Sequence, residues 1–286
     1  MERRDYPPEL TLPPEAVGKG SLIGFSVVPD DAALIERFVA TMLDEYRKAK
    51  AVGREKVVYI VPVGPVGQFE RLADRCNAER LSLRDLVIIN MDEYLTADGR
   101  AFISIDDALS FRRHMKEKFY GRLAPELAPP VEQRLFPEPC DPANVGRAIE
   151  RWGGVDVCFG GVGITGHVAF NDPPEPDEVC SAEEFASRPS RVVRLSRETV
   201  LINSVTTARG NLDRIPRLAV TVGMKEILES RKVRLFMNRE WQTAILRKLL
   251  HGAVTPRVPA SLLQRHSDAH VTATMQVTAL PEPTLR

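Results

Sequence analysis

Two short segments of the 286-residue chain gather side chains that could move protons. The first is Asn90-Met91-Asp92-Glu93-Tyr94, directly after the apolar run Leu86–Ile89. Two acids at the end of an apolar strand suit acid/base work, because a carboxylate in a partly dry cleft is tuned toward neutral pKa. The competing reading is that one of them caps the next turn. The second segment is Gly160–Asp172, GGVGITGHVAFND. Gly160, Gly161, Gly163 and Gly166 predict a flexible strand-to-loop turn whose backbone amides could bind an anion or oxyanion. His167 follows at once, and Asn171 and Asp172 close the segment. A lone histidine is more often structural. One on a glycine-rich strand-end loop, five residues before a carboxylate, points to catalysis.

Other chemistries lack their signatures. The glycine spacing is neither GxGxxG opening a helix nor GxxxxGK[ST], which excludes the dinucleotide and P-loop readings. No GxSxG elbow supports a serine hydrolase. His114, His251, His266 and His270 have no interpretable spacing. Cys76, Cys140, Cys158 and Cys180 form no CxxC pair and no zinc-type cluster, so no metal is expected and the thiols read as reduced, in a cytoplasmic protein. With 39 Lys+Arg against 39 Asp+Glu, the chain has no long-range field to attract nucleic acid or an acidic membrane. Its basic residues are dispersed without interleaved aromatics, and no apolar run approaches the ~18 residues that cross a bilayer.

The elements that must position these segments are short β-branched runs alternating with helical patterns. Strands are predicted at Leu22–Val28, Val57–Val63, Leu86–Met91, Val155–Phe159, Arg191–Leu195, Arg217–Val222 and Val233–Met237. Several are apolar on both faces, as parallel strands covered by helices are. Asp30 is placed to cap a helix carrying Leu34, Phe38, Met42 and Tyr46 on one stripe. A later helix is expected from about Arg239 to Leu250, with Gly252 just beyond it. This order predicts an α/β fold with one doubly wound, mostly parallel, Rossmann-like sheet and helices on both faces. Residues 1–20 read as an extended, proline-rich arm and residues 21–286 as a single domain. Leu123–Pro142 and Asn171–Pro189 are long for connections and read as lids or functional loops. Chemistry in such sheets collects beyond the strand carboxyl ends, where both segments fall.

NMDEY followed by GGVGxxGHxAFN resembles the glucosamine-6-phosphate deaminase/isomerase family. AVTVGMKEIL at Ala219–Leu228 and PASLLQ at Pro259–Gln264 extend the resemblance, which runs in order from about Ser21 to Thr272. It implies a cytoplasmic enzyme of carbohydrate metabolism, commonly homo-oligomeric, needing neither metal nor organic cofactor. It also implies that Asp92 moves a proton between C1 and C2 of the opened sugar, that His167 handles the ring-oxygen proton, and that Asp172 orients His167. Gly64, Gly67, Glu93, Gly161, Gly163, Thr165, Gly166, Asn171 and Trp241 fall on or beside the expected substrate-binding positions.

Several positions depart from the family pattern. Thr165 stands where the family has an aspartate before GH, and Asp172 shortens its glutamate. The phosphate loop is Pro62-Val63-Gly64-Pro65-Val66-Gly67, in which Pro65 has no N–H and the valines no hydroxyl. The family's phosphate arginine falls near Val205 and its lysine near Trp241. The expected activity is therefore isomerisation or deamination of an amino sugar or related sugar, unphosphorylated or carrying another group. A phosphorylated substrate requires a replacement grip from Arg112, Arg113 or Arg239. The alternatives are a sugar-phosphate lactonase-like hydrolase and a non-catalytic sugar sensor.

Overall fold

The computed structural model describes residues 7–282. Its strands are β1 (Gly24–Val28), β2 (Val57–Val61), β3 (Leu86–Asn90), β4 (Asp92–Tyr94) and β5 (Arg134–Leu135). They continue with β6 (Val157–Gly160), β7 (Arg191–Arg194), β8 (Leu218–Thr221), β9 (Val233–Met237) and β10 (Ala269–Thr274). The helices are α1 (Asp31–Ala51), α2 (Gln68–Glu79), α3 (Phe111–Met115) and α4 (Asn144–Arg151). After them come α5 (Ala182–Ala186), α6 (Arg197–Thr207), α7 (Met224–Leu228) and α8 (Thr243–His251).

Seven strands make one parallel sheet in the order β1-β10-β9-β6-β2-β3-β5. Every residue of β2 and β3 is buried, because alternate side chains enter opposite layers. Val57, Tyr59, Val61, Leu86 and Ile88 pack with Phe38, Met42 and Leu72 of α1 and α2. Val58, Ile60, Val87 and Ile89 pack on the other face with Ile227, Leu246 and Leu249 of α7 and α8. The Asp30 side chain accepts the Ala33 N–H at 2.9 Å and starts α1. From β2 the chain crosses to β3 on one side, whereas β6 lies on the other. The crevice beyond the carboxyl ends of β2 and β6 is thus a topological switch point.

Three differences from the sequence reading matter for the site. First, Arg191–Arg194 and Leu218–Thr221 are strands outside the main sheet: with β4 they form an antiparallel sheet in the order β4-β8-β7. Second, Leu123–Pro142 is no lid. It buries Leu123, Leu127 and Ala128 and supplies edge strand β5. Residues 171–189 carry α5, and Arg257 pins them by hydrogen bonds to the carbonyls of Pro174, Glu175, Pro176 and Glu178. Third, the described part of the arm, 7–20, is not extended throughout: 3-10 turns form at Pro8–Thr11 and Pro14–Ala16.

Candidate active site

Met91 links the two sheets. Its N–H bonds Val61 O at 2.9 Å and its carbonyl accepts Val222 N–H at 2.7 Å, which places β4 at the carboxyl ends of β2 and β3. In the small sheet Asp92 lies directly opposite Thr221, and Arg191 flanks Thr221 from the other side. Directly paired residues project to the same face, so these three side chains form one row.

The glycine-rich turn is tied to that row. Phe170 N–H donates to Thr221 Oγ1 at 3.0 Å. Asn171 is fully buried: its amide nitrogen donates to Val168 O and Val222 O, and its oxygen accepts from Arg191 Nη1 at 2.8 Å. These bonds occupy Asn171, so it staples the turn to the small sheet instead of meeting a substrate. Two of the turn's amides are likewise engaged: Gly163 N–H bonds His167 O and Gly166 N–H bonds Gly163 O. Gly163 has a steric role instead. A Cβ there would stand 1.9 Å from His167 Nε2, so only glycine leaves room for the imidazole. Gly161 lies in the same strand-end turn, where a Cβ would meet nothing closer than Phe236 O at 3.7 Å.

His167 Nδ1 is 2.9 Å from Asp172 Oδ1. Thr165 Oγ1 lies 2.8 Å from the same nitrogen and donates to Asp172 Oδ1 at 2.9 Å. Thr165, expected at the substrate, therefore belongs to the histidine–carboxylate pair. A fourth group, Thr199 Oγ1 from α6, donates to Asp172 Oδ1 at 2.7 Å and lies 3.3 Å from Nδ1. Ser196 N–H holds Asp172 Oδ2 at 3.0 Å. Spacing did not single out Thr199, which stands 27 residues after Asp172.

The two adjacent acids have separated. Glu93 is fully buried and accepts from Tyr94 N–H, Phe111 N–H, Arg112 N–H, Ser110 Oγ and Arg112 Nε. It caps α3 and is not a substrate ligand. That was the competing reading for one of the pair. Asp92, also buried, has no side-chain hydrogen-bond partner among the described residues. Burial, and then the neighbouring charge of Glu93, push its pKa up to about 8. For Asp172 burial also acts upward, but the His167 hydrogen bond and charge, the Ser196 amide and the Thr199 hydroxyl outweigh it. They hold Asp172 well below the usual carboxylate range. Two acids whose environments drive their pKa values apart are a pattern of acid/base sites.

The remaining predicted positions lie on two other segments. Gly64 and Gly67 lie in the loop from β2 to α2, and Gly67, at φ +111°, is the N-cap of α2. Trp241 is half-buried in the 3-10 turn after β9, next to Gln242, which donates to Val162 O of the glycine-rich turn. Val66 is 62% exposed and Val205 59%. Among the described residues no His/Cys/Asp/Glu cluster is placed to hold a metal, and no helix is long and apolar enough to cross a membrane.

The structure thus places one buried acid and a histidine–carboxylate pair beyond the strand carboxyl ends of a parallel α/β sheet. No protein-family model matches the chain. A glucosamine-6-phosphate deaminase of Porphyromonas gingivalis is 27% identical over 248 residues, covering 84% of this chain and 87% of that protein. A solved structure described as a monomeric glucosamine-6-phosphate deaminase superposes with a TM-score of 0.74 at 22% identity, over 89% of this chain and 98% of that one. A 6-phosphogluconolactonase of Thermotoga maritima shares the fold at a TM-score of 0.59 and 15% identity, over 88% of this chain and 98% of that one. Over most of its length the chain is thus similar to glucosamine-6-phosphate deaminases.

Proposed function

We propose that this cleft opens an amino sugar, shifts a proton between C2 and C1, and releases ammonia. The observation that carries the reading is Asp92, a buried carboxyl with a pKa near 8 and no side-chain partner among the described residues. A base of that strength suits a C–H beside a carbonyl. His167 would take the anomeric hydroxyl proton and return it to the ring oxygen as the C1–O bond of the ring breaks. Asp92, as carboxylate, then takes the C2 proton while the C1 carbonyl oxygen takes a proton from the substrate's C2 ammonium group, giving a neutral enolamine. The same acid returns its proton to C1, and the resulting C2 ketimine takes up water and expels ammonia.

The distal end of the substrate is not gripped as a phosphate. Such a dianion needs charge-assisted donors. The loop offers Pro65, which has no amide N–H, and an exposed Val66, while Gln68 Nε2 occupies the Val63 carbonyl at 2.7 Å. Arg112 is committed to Glu93 and Ile103 O, and Arg113 to Glu117 and Asp106 O. Neither is placed as a replacement grip, which leaves Arg239 as the cation to test.

Free and phosphorylated amino sugars, with a sugar-phosphate lactone beside them, should be screened for ammonia release and isomerisation. Turnover of an amino sugar, with glucosamine 6-phosphate binding no more tightly than glucosamine by calorimetry, is the expected result. Lactone hydrolysis without ammonia release favours the lactonase reading, and sugar binding without turnover the sensor. Tighter phosphate binding abolished by Arg239→Ala refutes the unphosphorylated distal end alone.

A further inference from the structure

We infer that Thr199, together with Thr165, is a positioning residue that fixes His167 in the Nδ1–H tautomer and leaves Nε2 as the nitrogen that exchanges protons. The argument is a count of hydrogens. Asp172 is held ionised and can only accept. Its Oδ1 takes the hydroxyl hydrogens of both Thr165, at 2.9 Å, and Thr199, at 2.7 Å. A hydroxyl has one hydrogen, so each threonine then turns only lone pairs toward Nδ1, at 2.8 Å and 3.3 Å. Nδ1 thus faces three oxygens, counting Asp172 Oδ1 at 2.9 Å, and all of them accept. It must donate, whether the ring is neutral or charged. The neutral ring therefore carries its free lone pair on Nε2, which has no hydrogen-bond partner among the described residues.

Thr199 suits this task by its location. It sits fully buried in the first turn of α6, with its own N–H capped by Ser196 Oγ at 3.1 Å. A β-branched side chain so placed has few rotamers. Two hydroxyls thereby orient the imidazole through hydrogen-bond direction, where a second acid would do so by charge.

The test is long-range 1H–15N spectroscopy of His167 in the full chain, joined to the kinetics of ammonia release from glucosamine. The wild type should show the Nδ1–H tautomer. Thr199→Val, nearly isosteric, and the double variant with Thr165→Val remove the hydroxyls that hold Asp172 Oδ1 against Nδ1, and should show mixed tautomers and a kcat lower by about 10- to 100-fold with little change in KM. Thr199→Ser should restore both. A wild-type Nε2–H tautomer overturns the inference, as does Thr199→Val with tautomer and kcat unaltered. The kinetic arm rests on the proposed proton transfer, but the spectroscopic arm does not. A protein without amino-sugar turnover would still decide the tautomer.

Discussion

The Asp92 carboxyl lies buried beside Glu93, and both effects favour its protonated form, whereas Asp172 is surrounded by donors that favour the anion. The consequences for stability have opposite signs. Below about pH 4 Asp92 is protonated in the folded and unfolded chain alike. Between there and about pH 8 the folded state keeps a proton that the unfolded state has lost, so stability falls as pH rises. Asp172 contributes stability at neutral pH, and that contribution is lost as pH falls below the carboxylate range. Asp92→Asn should therefore abolish turnover, by about 10²–10⁴-fold, and stabilise the protein in alkali. Relative to wild type, its denaturant-derived stability should gain on the order of 3–5 kcal/mol between pH 5 and pH 9. In the wild type, kcat/KM should rise as pH passes through about 8, because the base must first lose its proton. A variant that tracks wild-type stability at both pH values would show that Asp92 is not held protonated.

At the scale of elements, Glu93 does the work of a helix cap from inside the small sheet. Three backbone N–H groups, a hydroxyl and the Arg112 guanidinium converge on one buried carboxylate. Glu93→Ala strands those donors, and an unpaired buried group is costly, so a loss of about 3–5 kcal/mol is expected. Glu93→Gln should recover part of it, since one oxygen still accepts. Chemical denaturation of both variants checks the order. A run of two acids could not announce which would cap and which would stay free, because both stand after the same apolar strand. The near-continuous apolar runs of β2 and β3 were legible as covered parallel strands. The segments of β7 and β8 were legible as strands, but side-chain periodicity does not name a partner, and they left the main sheet. Ala269–Thr274, with His270, Thr272 and Thr274 interleaved among small residues, gave no strand signal. It nonetheless pairs β1 and β9 along its length. His167 and Asp172 were legible because one turn carries both. Thr199 and Thr221 were not, since only the packing of α6 and β8 brings them to that turn.

Across the whole molecule, the two ends of the described chain meet on one side chain. Arg247 of α8 is fully buried and donates to Leu12 O from Nε and Nη2, to Thr278 O from Nη2, and to Thr243 O and Ala279 O from Nη1. Among the described residues its partners are carbonyls alone, so its charge is balanced there by oriented dipoles that a neutral side chain could not engage. A second tie runs from Gly18 N–H to His251 Nε2 at 2.9 Å. Burial, and then the charge of Arg247, lower the His251 pKa, which keeps the ring neutral and Nε2 free to accept. That contribution is present above the ordinary histidine range and is lost as pH falls through the lowered value. Neither tie touches the sheet's central strands, so the arm should release locally before the fold does. Arg247→Met should raise amide exchange at residues 7–20 and around Met275–Thr278 by at least about 10-fold, with β2 and β3 still protected. Acidification of the wild type should loosen Gly18 in the same direction. Hydrogen exchange read by mass spectrometry separates the outcomes. Simultaneous loss of protection in the arm and in β2 would make the arm part of one cooperative unit, with Arg247 holding the whole fold.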